Sequence, residues 1–122
     1  MEVRVDNQAQ LDEIGKYIVP GEELLDVYDL DGSHLDFVGI TDKRLIHHSG
    51  GMSRYRVINS VLWRHIISVR CSYDSKLHTL TRTVYYDDAS AAGKALIFSS
   101  NEQAQGAYVA IVTQLLQNEI AG

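Results

Sequence analysis

The side chains most able to do chemistry in this sequence are its histidines, its lone cysteine and a run of arginines. There are five histidines, and two of them are adjacent in Phe37-Val38-Gly39-Ile40-Thr41-Asp42-Lys43-Arg44-Leu45-Ile46-His47-His48-Ser49-Gly50-Gly51. Zinc needs three or four converging N, S or O ligands. His34, Asp36, His65 and His78 could join His47 or His48 in such a set, but the adjacent pair cannot act together if it lies in a strand. Successive strand side chains point to opposite faces. The reading is therefore one inward and one outward histidine, with no metal site and no cofactor. Covalent catalysis needs a nucleophile, a base and an orienting acid. Cys71 lies within Ser68-Val69-Arg70-Cys71-Ser72-Tyr73, where alternation puts it on one face with Val69 and Tyr73, so a buried, inert thiol is expected. No Gly-x-Ser-x-Gly elbow, phosphate-binding loop or dinucleotide fingerprint occurs. No catalytic residue is assigned, and the chain is not read as an enzyme.

The arginines offer different chemistry. Arg54 and Arg56 alternate on one strand face, and Arg64 and Arg82 could lie near them. Guanidinium forks suit carboxylate or phosphate, so these four are the candidate anion- or ligand-binding residues. The competing reading is that they pair with the protein's own acids, and the charge distribution favours it. Residues 1–42 hold eleven acids and two bases (−9), residues 43–82 eight bases and one acid (+7), and residues 83–122 four acids and one base (−3). The net charge of −5 weighs against nucleic acid and anionic lipid, because nonspecific binding follows the summed field. A single cysteine precludes an intrachain disulfide and fits a reducing cytoplasm. The first residues lack the apolar run of a signal peptide, and no apolar run reaches the ~18 residues of a membrane span.

Most of these groups must be positioned by strands. One domain is expected over residues 1–122. Residues 7–18 read as a short helix: Asn7 can cap, Gln10 can complete a capping box, and Leu11, Ile14 and Ile18 share a face before Pro20-Gly21 stops it. Residues 22–99 then read as seven strands, near 23–30, 35–40, 44–48, 54–62, 66–73, 77–86 and 94–98, with turns between them. Gly39 marks a bulge or a close approach. Residues 101–120 form the long helix, with Ser100 as cap and Ala104, Ala107, Tyr108, Ile111, Val112, Leu115 and Leu116 as its apolar stripe.

That order, with Pro20-Gly21-Glu22-Glu23, Ile40 to Ile46, Ile66-Ile67-Ser68-Val69 and Ala95-Leu96-Ile97-Phe98, resembles bacterial pleckstrin-homology-like domains over most of residues 20–116. The resemblance implies a seven-stranded, partly open barrel of two roughly orthogonal antiparallel sheets, capped by the C-terminal helix. It implies no catalytic residues, and it implies pairing of subunits through sheet edges, as in ring-forming and higher-order members. The chain departs from the pattern in three places. No proline precedes the fifth strand. Tyr108 stands nearest to the usual last-helix tryptophan. The first hairpin, Tyr28 to His34, is acidic where phosphoinositide binders are basic. The expected function is a noncatalytic protein-binding or self-assembly module, its partner itself through sheet edges, with no nucleic acid and no phosphoinositide. The alternative is a small-anion or ligand-binding domain built on the arginines, and a remoter one is a metal-dependent enzyme on His47.

Overall fold

A computed structural model describes residues 2–50 and 55–121. They group into two compact units, Met1–Leu62 and Trp63–Gly122. The first holds β1 (Arg4–Val5), α1 (Gln8–Gly15), β2 (Leu24–Asp29), β3 (Phe37–Thr41), β4 (Arg44–Ser49) and β5 (Val57–Leu62). These strands form one sheet in chain order, antiparallel except for the parallel pair β1–β2. The second unit holds a 3-10 turn (Trp63–His65), β6 (Ile66–Asp74), β7 (Thr79–Asp88), β8 (Lys94–Ile97) and α2 (Asn101–Ala121). Its three strands form a separate antiparallel sheet.

The expected count of seven strands is corrected to eight among the described residues, and the two sheets expected of a partly open barrel are separate ladders of five and three strands. The added strand, β1, has two residues, too few to show any alternation. Tertiary bonds hold it: Asp6 N–H donates to Val27 O, Arg4 Nη1 donates to the same carbonyl, and Asp29 N–H donates to the Asp6 carboxylate.

α1 begins where Asn7 predicts it, since the Asn7 side chain accepts from Ala9 N–H at 2.9 Å. Gln10 does not complete a capping box. Its side chain instead crosses to Asp29 and His34 O. The helix stops at Gly15, short of the expected residue 18, and the last turn tightens through Tyr17 N–H to Ile14 O. Ile14 then packs with Val27, Phe37 and Ile46 into the core of this unit. Gly39 is the close approach that makes room, because a methyl there would overlap Ile14 Cδ1. The bulge lies instead in β2, between Leu24 and Asp26.

In the second unit α2 lies against β7, β6 and the 3-10 turn. Ser100 Oγ accepts from Gln103 N–H at 3.1 Å, the expected cap. Ala104, Ala107 and Ile111 are buried as expected, joined by Gln114, whereas Leu116 is exposed. Leu77 and His78 belong to the turn before β7 rather than to the strand. Asp74 holds that turn by accepting from the Lys76 and Leu77 N–H groups, and His78 takes a positive φ of 53°. Among the described residues no helix is long and apolar enough to cross a membrane.

Candidate functional site

The hairpin that carries the two histidines is β3–β4, turning at Asp42-Lys43. His48 is fully buried and stacks on Phe37, its direct cross-strand partner, with ring centroids 4.3 Å apart and planes 10° apart. Its Nδ1 lies 2.6 Å from Leu35 O. A carbonyl only accepts, so the ring proton sits on Nδ1. Nε2 is left as a buried acceptor without a partner among the described residues. His47 is half-buried and pairs across the strands with Val38 and Asn59, one position out of phase with His48. The strand thus splits the two histidines, as alternation requires. No group of three or more His, Cys, Asp or Glu capable of holding a metal occurs among the described residues.

The same hairpin builds a buried ion pair. Arg44 Nε reaches Glu22 Oε2 at 2.7 Å and Arg44 Nη2 reaches Oε1 at 2.9 Å, a bidentate fork. The Glu22 side chain is 1% exposed. Thr41 Oγ1 donates to Oε2 at 2.7 Å, and Val19 N–H donates to Oε1 at 3.1 Å. Arg44 also donates from Nη2 to Tyr17 O and from Nη1 to Ser60 Oγ. Burial alone would raise the Glu22 pKa, but the bonds from Arg44, Thr41 and Val19 outweigh it and hold the carboxyl below its ordinary value. One residue along, Asp42 Oδ1 accepts from Glu23 N–H at 2.8 Å. Pro20-Gly21-Glu22-Glu23 and Thr41-Asp42-Lys43-Arg44, read as separate markers in the sequence, are two halves of one clasp.

The candidate arginines fare differently. Arg54 lies outside the described residues. Arg56 reaches Glu13 at 3.3 Å across an exposed surface. Arg64 stands in the 3-10 turn beside a groove of about 400 Å³, with Trp63, Ile67, Leu115 and Glu119. Arg82 lies on β7, six residues from Asp88, which pairs with Ile66 at the start of β6. At ~3.3 Å per strand residue the two positions are roughly 20 Å apart. Arg64 and Arg82 are thus not brought together. The internal pairing favoured by the charge distribution is visible. Arg44–Glu22, Lys43–Asp42 and Arg56–Glu13 join the basic segment to the acidic first one, and Arg70–Asp87 joins it to the last.

Cys71 is half-buried rather than buried. A register shift between Cys71 and Tyr73 breaks the alternation on which the sequence reading rested, and Tyr73 is exposed. A polar feature missed in the sequence is Asp88. It pairs with Lys94 at 2.9 Å and accepts from Ser90 Oγ, Ser90 N–H and Ala91 N–H. The Ser90 and Lys94 bonds drive its pKa far below the carboxylate range. Asp88-x-Ser90 followed by Lys94 is legible as a turn that closes on its own carboxylate.

An open surface of the first unit is β5. It ends the five-stranded sheet, and among the described residues no strand pairs with its far side. Val57, Ile58, Asn59 and Ser60 are all exposed in succession, and Val57 and Ile58 are apolar. A regular edge exposes alternate residues, directs half of its N–H and C=O groups outward, and is ordinarily blunted by lysine, proline or bulges. β5 contains no lysine or proline, and its register with β4 is unbroken from Val57 to Leu62.

No protein-family model matches the chain, and no curated protein matches it. Among solved structures it is similar to a DUF1696 family protein with a pleckstrin-homology domain from Shewanella loihica PV-4. The TM-score is 0.69 at 16% sequence identity, covering 93% of this chain and 96% of that one. Identity this low speaks for architecture alone: the chain shares the pleckstrin-homology-like fold of that bacterial protein.

Proposed function

We propose that the chain is a noncatalytic self-assembly module that pairs with a second copy of itself along β5. The observation that carries this reading is that, among the described residues, no strand pairs with the far side of β5, which has four consecutive exposed residues. Each backbone hydrogen bond formed across such an edge contributes about 0.5–1.5 kcal/mol net, and the apolar side chains of Val57 and Ile58 add burial on both faces. An arginine-lined anion site is less well supported, because Arg56 is engaged by Glu13 and Arg64 stands far along the sheet from Arg82. The connection between β2 and β3 also carries Asp31 and Asp36, so a phosphate there meets like charge.

Light scattering over a hundredfold range of concentration is the test. The parent protein is expected to gain mass with concentration. A Val57→Lys, Asn59→Lys variant is expected to stay monomeric with an unchanged circular dichroism spectrum, because lysine at an edge disfavours strand addition. A parent that remains monomeric at all concentrations and salt levels overturns the reading.

A further inference from the structure

The sequence holds one Asp-Gly pair, Asp31-Gly32, in the connection between β2 and β3. An aspartate is open to attack on its side-chain carboxyl by the amide nitrogen of the residue that follows it. Glycine leaves that nitrogen unhindered, because it has no Cβ. A fold suppresses the reaction by holding the two groups apart and promotes it by holding them together. Here they are together: Gly32 N–H donates to Asp31 Oδ1 at 3.2 Å. Both residues are exposed, so water reaches them. Gly32 takes a φ of 123°, where glycine alone sits easily, and a Cβ there would meet Asp36 Oδ2 at 3.1 Å. The turn thus selects glycine and with it the open nitrogen. Two other turn aspartates are built differently. Asp74 accepts from the Lys76 and Leu77 amides, and Asp88 from the Ser90 and Ala91 amides. Their carboxylates are engaged beyond the amide that would have to attack.

We infer that Asp31 is a site of spontaneous isomerisation to isoaspartate. Gly32 N gives its proton to water and bonds to the Asp31 side-chain carboxyl carbon. One carboxyl oxygen leaves as water, and a succinimide ring remains. Water then adds to either ring carbonyl. Cleavage on the side-chain side restores aspartate. Cleavage on the main-chain side leaves Gly32 N bonded through the former side chain, with one extra methylene in the backbone and a free α-carboxylate. One water leaves and one returns, and no oxidant or cofactor enters. The added length falls beside a knot. The Asp36 carboxylate accepts from Ser33 N–H, Ser33 Oγ and Gly50 N–H at 3.1, 3.0 and 3.2 Å. Moving Gly32 off Asp36 strains those bonds, so the isoaspartyl form is less stable than the parent. This site is independent of pairing along β5.

Incubation of the folded full chain, followed by peptide mapping with electron-transfer fragmentation, tests it. Methyl transfer from S-adenosylmethionine by an isoaspartyl methyltransferase counts the product independently. Isoaspartate is expected at residue 31, forming at least ~tenfold faster than at Asp74 or Asp88, through an intermediate lighter by one water. The folded chain is expected to react at least as fast as a free peptide of residues 28–37, because the fold already holds the reacting groups together. Asp31→Glu is expected to abolish the product with an unchanged circular dichroism spectrum, since the larger ring closes far more slowly. Aged parent is expected to melt below fresh parent, and aged Asp31→Glu to melt with its fresh counterpart. The proposal is overturned by no isoaspartate at residue 31, by a rate at Asp74 or Asp88 within ~tenfold of it, by a folded chain slower than the free peptide, or by an aged parent that melts with the fresh one.

Discussion

Replacing Glu22 by glutamine keeps the volume of the side chain and removes its charge from a site that is 1% exposed. The Arg44 guanidinium, itself 17% exposed, then stays mostly buried without a counter-ion. Breaking a buried pair from one side costs about 3–5 kcal/mol. Arg44 keeps its bonds to Tyr17 O and Ser60 Oγ, so the lower end, about 3 kcal/mol, is expected here. For 122 residues at ~2.1 cal/mol/K per residue, 1 kcal/mol corresponds to about 4 °C. Glu22→Gln should therefore lower the midpoint by about 12 °C. The acid limb supplies a second readout. The folded Glu22 pKa lies below its ordinary value. Its contribution is thus complete above the unfolded value of ~4.3 and is lost as pH falls through the folded one. The variant should lose that part of the slope and run more nearly parallel to the pH axis. Calorimetry across acid pH measures both. An Arg56→Ala control, at an exposed pair, should barely move the midpoint. A Glu22→Gln midpoint within ~4 °C of the parent, or an acid slope unchanged, refutes the reasoning.

Two further outcomes follow from packing and burial. Gly39→Ala places a methyl on Ile14 Cδ1 and should cost about 1–3 kcal/mol. Ile14→Val deletes that atom, so a double-mutant cycle by chemical denaturation should show the pair to be less destabilised than the sum of the single changes. Burial, reinforced by Asp26, pushes the Tyr28 phenol up to about 12. The unfolded phenol ionises near ~10, so this group's contribution is complete below that pH and is lost as pH rises through the folded value. Burial also raises the Tyr86 phenol, so spectrophotometric titration should find two of the seven tyrosines ionising late, and Tyr28→Phe should remove one of the two and lessen the alkaline loss of stability.

The sequence was most legible where a residue's environment is set by its near neighbours. Period-two alternation located β2 to β8 to within a few residues and separated His47 from His48. Gly39 was read as a bulge or a close approach, the two usual reasons for a glycine inside a strand, and the second is the one found. Asn7 and Ser100 announced the helix starts. What stayed hidden depends on partners far along the chain. Glu22 and Arg44 stood out only as parts of two markers, and nothing in either periodicity joins residues 22 positions apart. Gln10 looked like a capping residue, but its real partner, Asp29, arrives only when β2 is laid under α1. β1 is too short to carry a pattern. The exposure of Tyr73 and the half-burial of Cys71 follow from a register slip in β6, which alternation cannot foresee. Arg64 and Arg82 could be imagined as neighbours until the β6–β7 register set them at different ends of a ladder.

β1 has one more consequence. Arg4, Val5 and Asp6 cover the outer side of β2: Val27 O takes two donors from them, and Asp29 N–H ends on the Asp6 carboxylate. Among the described residues the five-stranded sheet therefore ends in the two-residue β1 at one margin and in the six-residue β5 at the other. A sheet with two margins long enough to take a strand has a valence of two and can recruit copies end to end without limit. A sheet with one has a valence of one, and its only symmetric use is an antiparallel β5–β5 handshake about a two-fold axis. Assembly through this sheet would stop at two copies, and removing residues 2–6 would raise the valence and turn a closed pair into a growing stack.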